Sequence, residues 1–287
     1  MRKLCVIGDP VAHSKSPLIH NAMLKELGLD YVYLRQQVGQ GETEAWVERA
    51  RAEGYAGFNA TMPHKEALVP LMDVLDEDAG MYGSVNTVCI RGERLYGYNT
   101  DGRGFMAALA DEGISVTGKR VLLLGAGGAA KAVALKLARQ GVKRVTVCNR
   151  TVSRVEELCK QNPAVLAPAD FSADTLRRLA GESELLVNCS SLGMEGTGGQ
   201  FGDFSFLDGL PNLAAVCDLI YSPAETELLR GARLRGHQTM NGLGMLLWQA
   251  IFALEHFIDS KLDGPAMAAL LRKRIKESTG QAAERLF

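Results

Sequence analysis

Residues Lys119–Gly141 read KRVLLLGAGGAAKAVALKLARQG, and they decide the fold. Val121–Leu124 is an unbroken apolar run, the mark of a strand covered on both faces as in a parallel sheet. The alanine-rich segment after it has the period of a helix, and Gly141 suits its end. Between the two, Gly125, Gly127 and Ala130 form G-x-G-x-x-A. The first glycine makes a tight turn, the second lets backbone approach a pyrophosphate, and the small third residue lets helix and strand pack closely. Gly125, Ala126, Gly127, Gly128 and Ala129 would then offer free N–H groups and a helix dipole to phosphate. With the strand before and the helix after, this is a dinucleotide site; a glycine turn that binds nothing is the plainer alternative.

Downstream, RVTVCN reads as the second strand of a βαβ unit and ends in Asn149-Arg150-Thr151, with Arg154 one helical turn on. Sites for NAD usually carry an acid there for the ribose diol, whereas arginine suits the 2′-phosphate of NADP. No acid stands at this position. Asn149 and Thr151 can hydrogen-bond, Thr151 can cap the next helix, and the two guanidinium groups can clamp a phosphate, so NADP is favoured over NAD. For Arg154 the plainer alternative is a surface charge. LLVNCS, AAVCDLI and a helical period over 224–235 extend the unit into a doubly wound sheet.

Upstream, strand-like LCVIG, YVYLRQQV and GFNAT alternate with helical periods, which predicts a second parallel α/β unit. SVNTVCI and RLYGYN, joined at Arg91-Gly92-Glu93, read as a hairpin on that sheet's edge. In FNATMPHK, Pro63 suits the first position of a helix, which would put Lys65 in the first turn, where a cation is electrostatically misplaced. The loop over 193–202 is glycine-rich and expected to be mobile. Helical periods over 243–258 and 265–275 have no strand partners and are expected to pack back onto the first domain and bridge the cleft. Arg272, Lys273, Arg274 and Lys276 suit a solvated face near a helix C-terminus.

The balance of 32 Lys and Arg against 33 Asp and Glu gives no basic field for nucleic acid or anionic lipid, which points to a small-molecule partner. No apolar stretch has the length of a membrane span or signal core, so a cytoplasmic location is expected, as monomer or homodimer. The six cysteines are scattered and read as reduced core residues. His20, His237 and His256 lack metal-like spacing, and no metal is expected. Trp46 and Trp248 read as core. His13 and His64 border the strand ends and read as surface or supporting imidazoles.

Ligands in such sheets sit beyond the carboxyl ends of the strands. The polar residues there are Ser14, Ser16, Asn59, Thr61, Lys65, Asn86, Asn99, Thr100 and Asp101, mostly neutral hydrogen-bonding groups that suit a small polyhydroxylated ligand. HSKSPLIHNAML, GFNATMPHKEAL, GSVNTV, YNTDGRGF, GAGGAAKAV, NRT and NGLGMLLWQA follow in the order seen in shikimate dehydrogenases, and nearly the whole chain resembles that family. The resemblance implies an N-terminal α/β substrate domain over 1–103, completed by 242–287, and a Rossmann-like NADP-binding domain over 104–241. It implies NADP-dependent, reversible reduction of 3-dehydroshikimate to shikimate, a step of aromatic amino acid biosynthesis. Ser14, Ser16 and Tyr221 would hold the substrate carboxylate, and Asn59, Thr61, Asn86, Asp101 and Gln249 would meet ring hydroxyls. Lys65 and Asp101 would be the catalytic pair, with Leu219, Gly242 and Glu77 touching cofactor. An ammonium can both supply a proton and stabilise developing alkoxide charge. For Asp101 an N-cap is the plainer role. Ala60, Ser84, Cys189, Ser190 and Asn241 depart from the family's usual residues, and orientation beside Asn241 is the transfer most exposed to change. A quinate/shikimate dehydrogenase using NAD and a non-catalytic ligand sensor are the competing readings.

Overall fold

An unbroken apolar strand is covered on both faces, and a mixed one is half exposed. That difference sorts the strands of the first sheet. The sheet is built from β1 (Arg2–Gly8), β2 (Tyr31–Gln37), β3 (Tyr55–Ala60), β4 (Val74–Leu75), β5 (Thr87–Arg91) and β6 (Arg94–Tyr98), in the order β2-β1-β3-β5-β6-β4. β3 is buried at every position and lies inside the sheet, whereas β2, with Arg35 and Gln37 exposed, lies at an edge. The first three strands run parallel, and β5 and β6 form an antiparallel hairpin. This computed structural model describes residues 1–196 and 199–279, so the mobility expected over 193–202 falls partly outside the described residues.

Helices α1 (Ser16–Glu26), α2 (Thr43–Ala52) and α3 (Glu77–Tyr82) belong to the same unit, Met1–Gly104. The chain leaves this unit within α4 (Asp101–Asp111). The second unit, Phe105–Leu246, holds β7 (Arg120–Leu124), α5 (Gly128–Ala138), β8 (Arg144–Cys148), α6 (Val152–Cys159), β9 (Leu166–Ala169), α7 (Ala173–Gly181), β10 (Leu185–Asn188), β11 (Ala215–Asp218), α8 (Glu227–Leu234) and β12 (Gln238–Met240). Its six strands are all parallel in the order β12-β11-β10-β7-β8-β9. Succession reverses between β7 and β10, the switch point at which such sheets bind ligands. The chain re-enters the first unit within α9 (Leu243–Ile258) and continues into α10 (Gly264–Thr279).

The sheets pack on conventional apolar cores: Trp46, Phe58, Val88 and Leu95 in the first, Leu122, Leu186, Val216 and Phe206 in the second. All six cysteines are free and five are buried; burial pushes the Cys148 and Cys159 thiols up to about 12 and about 11. Trp46 and Trp248 are buried as expected.

Three local expectations need correction. The hairpin is not the sheet edge, because β4 pairs with β6 outside it. Two residues are too few for a period to show, and the pairing places Leu75 opposite Gly97, which has no side chain to obstruct it. No helix opens at Pro63: residues 62–68 form successive turns that lead into a short 3-10 turn at Val69–Leu71. His64 N–H bonds to Thr61 O and Val69 N–H to Glu66 O, each spanning three residues. The dipole argument against Lys65 therefore lapses. Finally, α8 begins at Glu227 rather than 224, because Thr226 caps it by accepting from Leu229 N–H.

Candidate active site

The C-terminal ends of β1 and β3 lie side by side: Thr61 N–H donates to Ile7 O and Asp9 N–H to Met62 O. Because β5 runs antiparallel to β3, Asn86 at its start falls beside the same end, where its carbonyl accepts from Ala60 N–H. Asn86 N–H in turn donates to Tyr98 O, which brings in the end of β6 and the start of α4. Topology thus gathers Asn59, Thr61, Lys65, Asn86 and Asp101 from segments far apart in sequence.

Lys65 Nζ donates to Asp101 Oδ2 at 2.5 Å, and the two side chains are 19% and 9% exposed. So shielded a pair is strong while intact and costly to leave half-made. The Lys65 backbone is also held, since its carbonyl accepts from Val85 N–H. Asp101 is the first residue of α4, and its other oxygen, Oδ1, accepts from Asn86 Nδ2 at 2.8 Å. Its carboxylate is therefore engaged by Lys65 and Asn86 rather than by the helix end. The neighbouring His64 is fully buried, with Nδ1 2.8 Å from Thr43 Oγ1 and Nε2 2.9 Å from Val38 O. A carbonyl only accepts, so Nε2 carries a proton, and this imidazole braces the turn that carries Lys65.

Asn59 and Asn86 were expected to meet a ligand, yet their amides are largely committed to protein. Asn59 Nδ2 donates to Asn86 O and Thr87 Oγ1, while Oδ1 accepts from Tyr33 O–H. Asn86 Nδ2 donates to Thr100 Oγ1 and Asp101 Oδ1, while Oδ1 accepts from Thr100 N–H and Thr87 O–H. Thr100, expected at this strand end, joins the set, whereas sequence inspection missed Tyr33 and Thr87 as parts of this site. Thr87 lay inside a recognised motif, but nothing in the strand pattern singled out Tyr33.

Ser14 and Ser16 stand at the start of α1, half-buried, with no acid in the first turn. A helix N-terminus of this kind suits a carboxylate. Arg35 fixes the approach, its guanidinium donating twice to the Ser14 carbonyl at 3.1 and 2.8 Å. Gln249 lies on α9, whose backbone comes so near Gly104 that a Cβ there would sit 2.8 Å from Gln249 N. Gly104 follows Asp101 by three residues on α4, so Gln249 packs against the helical face that Asp101 begins. Tyr221 belongs to the second unit; burial raises its phenol pKa, so it stays a hydrogen-bond donor.

In the second unit Gly125 has φ +111°, and a Cβ there would come within 3.0 Å of the Cys189 carbonyl group and Ser190 N. The tight turn thus requires glycine. Gly127 and Gly128 have open space where a Cβ would project, and α5 starts at Gly128 with no acid in its first turn. Ala126 and Ala129 are half-buried beside them, and Ala130 is fully buried against the sheet. At the end of β8, Asn149 Nδ2 donates to Thr151 O. Thr151 is the residue before α6 but makes no side-chain cap. Arg150 and Arg154 are exposed and have no ion pair among the described residues. This donor set, with unpaired cations and free helix N–H groups, fits a dinucleotide bearing an extra phosphate.

Leu219, just beyond β11, touches Gly242 so closely that a Cβ on Gly242 would lie 2.0 Å from Leu219 O. Asn241 holds this corner, donating to Ala224 O and accepting from Leu243 N–H. Glu77 is exposed in the first turn of α3, in the first unit. A cluster that the sequence did not announce lies at the ends of β10 and β11. There fully buried Asp218 accepts from Asn188 Nδ2, Ile220 N–H and Thr226 O–H, and burial pushes its carboxyl up to about 6. Among the described residues no three His, Cys, Asp or Glu side chains converge as metal ligands, and no helix is long and apolar enough to cross a membrane.

The chain resembles known proteins over most of its length. Residues 6–88 match the shikimate dehydrogenase substrate binding domain, and residues 108–192 match shikimate/quinate 5-dehydrogenase. The NADP(+) shikimate dehydrogenase of Alkaliphilus metalliredigens is 42% identical, with 88% of this chain and 90% of that protein covered. Shikimate 5-dehydrogenase of Thermus thermophilus, solved with NADP(H) and shikimate, is 34% identical at a TM-score of 0.84, covering 96% of this chain and 100% of that one. The Listeria monocytogenes enzyme, solved with shikimate and NAD, is also 34% identical at a TM-score of 0.84, covering 94% and 96%. With this identity sustained over most of both chains, the protein belongs to the shikimate dehydrogenase family.

Proposed function

We propose that this protein is an NADP-dependent shikimate dehydrogenase that interconverts 3-dehydroshikimate and shikimate. The single observation that carries the chemistry is the shielded 2.5 Å pair between Lys65 and Asp101. Bound NADP(H) supplies or accepts the hydride. Lys65 delivers the proton to the substrate oxygen during reduction and stabilises the charge that gathers there, while Asp101 aims the ammonium. In the oxidation direction the pair accepts the hydroxyl proton. Ser14, Ser16 and the Tyr221 phenol hold the carboxylate, and Thr61 and Gln249 orient ring hydroxyls. Asn59 and Asn86 contribute chiefly by fixing Asp101, with what hydrogen-bonding capacity remains directed at substrate.

In the second unit, the Gly125–Ala129 backbone cradles the pyrophosphate, Asn149, Thr151, Arg150 and Arg154 take the 2′-phosphoadenosine end, and Leu219 and Gly242 bound the nicotinamide. The first unit with its returning C-terminal helices is the substrate domain, and the second is the NADP domain. The protein works on small molecules in the cytoplasm, as a monomer or homodimer, without nucleic acid or membrane. The relative solved with NAD supports a second reading in which NAD is the carrier. Steady-state kinetics with shikimate and quinate against each cofactor separates the two. Shikimate with NADP is expected to be the best pairing, and a preference for NAD of roughly tenfold, about 1.4 kcal/mol, would overturn the cofactor assignment. No turnover with any pairing would return the protein to the sensor reading.

A further inference from the structure

One hydrogen-bond chain in the first unit has its direction set at both ends. The Asn59 amide faces the Asn86 backbone carbonyl at 3.1 Å, and a carbonyl only accepts, so the atom there is Nδ2. Oδ1 of Asn59 therefore faces Tyr33, whose hydroxyl must donate, at 2.6 Å. At the other end, the Thr100 N–H only donates, so the Asn86 atom that faces it at 3.0 Å is Oδ1. Thr87 must then donate to Asn86 Oδ1 at 2.8 Å while accepting from Asn59 Nδ2 at 2.9 Å. Asn86 Nδ2 is left to donate to Asp101 Oδ1. Every proton from Tyr33 onward points toward the Asp101 carboxylate.

The start of the chain is isolated from competing partners. His20 stacks flat on the Tyr33 ring at 4.1 Å, is buried, and has neither ring nitrogen hydrogen-bonded among the described residues. Burial pushes its pKa down to about 3, so no cation lies under the phenol, and burial also keeps the Tyr33 hydroxyl protonated. We propose that Tyr33 and Thr87 are positioning residues, which hold the Asn86 amide so that it occupies Oδ1 of Asp101 and reserves Oδ2 for Lys65. This rests on reading Lys65 and Asp101 as the catalytic pair.

The test combines Thr87→Val and Tyr33→Phe with an Asp101→Asn background. Thr87→Val should lower kcat by about tenfold, the effect of one unsatisfied buried partner, and leave KM for shikimate nearly unchanged. Thr87→Ser should restore most of the rate. Tyr33→Phe should cost less, and the double variant no more than Thr87→Val alone, because both act through one path. In Asp101→Asn, adding Thr87→Val should cause no further loss. Losses that persist in full in Asp101→Asn, or that fall on KM, would mean general structural damage and overturn the proposal, as would an unchanged kcat. A readout independent of turnover is the NMR signal of the Asn86 side-chain amide protons, which should exchange slowly in the parent and quickly in Thr87→Val. Equal exchange in both would sink the chain of contacts even if the parent proved inactive on shikimate, whereas inactivity with the expected exchange difference would count only against the assigned reaction.

Discussion

The two units equip their strand ends in opposite ways. In the first, the side chains at the strand ends bond to one another: Asn59, Thr87, Asn86, Thr100, Asp101 and Lys65 form a continuous set with little capacity left over. In the second, the groups at the glycine turn stand open, with no side-chain cap on the helix start, open space beside Gly127 and Gly128, and two arginines without ion pairs among the described residues. On the proposed reading, the contrast follows from what each has to do. Moving a proton needs groups held in direction before the ligand arrives, and mutual saturation provides that. Holding phosphate needs donors and cations with unused capacity, and a glycine turn at a helix start provides that without any fixed side chain.

The sharpest way to test the first half is to remove its cation. Lys65→Ala should lower kcat by roughly 10²–10⁴, the usual contribution of acid–base assistance, with KM for shikimate little changed. If KM rises while kcat holds, Lys65 is a recognition residue and the saturated set serves binding instead.

Asp218 breaks the comparison from the other side, because it is a saturated cluster inside the open unit. Its folded pKa of about 6 lies above the usual 3.8, so folding favours its protonated form. The sign follows: stability is highest when the group is protonated, is lost as pH rises from about 4 to about 6, and is flat above that. The shift corresponds to roughly 3 kcal/mol. Asp218→Asn cannot ionise, so urea unfolding across this range should show the variant gaining on the parent by up to about that amount. A gap that stays constant with pH would show that the three donated hydrogen bonds offset the burial of the charge.

Arg150→Ala sharpens the second half. Removing one charge-assisted phosphate contact should weaken NADP by roughly tenfold or somewhat more and leave NAD unaffected, as measured by the two KM values. Equal damage to both cofactors would remove the 2′-phosphate from the account.

The smallest effect is expected where the first unit fails to saturate itself. Ser84 is fully buried, and its hydroxyl has no partner among the described residues. Ser84→Ala should therefore leave stability unchanged or raise it by up to about 1 kcal/mol by thermal unfolding. A clear loss would reveal a hidden partner for that hydroxyl.

Much of this was legible before any coordinates. VLLLGAG carried its own setting, and the Arg150 and Arg154 pair needed only the end of a strand to be recognised. The turn at Pro63 was misread because a proline suits a helix start and a turn equally well, and what decided between them was the inward anchoring of His64 on Thr43 and Val38. β4 was missed for want of length. Asp218 was missed because a lone acid at a strand end gives no sign of burial or of the donors that will face it.

What the chain's order of residues determined was local: which runs are strands, where glycine is obligatory, which strand end carries no acid, and, through its motifs, the family. Those properties depend on near neighbours and on periodicity, so they survive reading along a line. The tertiary structure alone decided which polar groups are saturated and which are open, because a hydrogen bond between Tyr33 and Asn59 or between Lys65 and Asp101 joins residues whose separation the sequence does not encode. Only antiparallel pairing of β5 with β3 brings the start of one strand to the end of the other, and that registration turns a scatter of amides into a directed site.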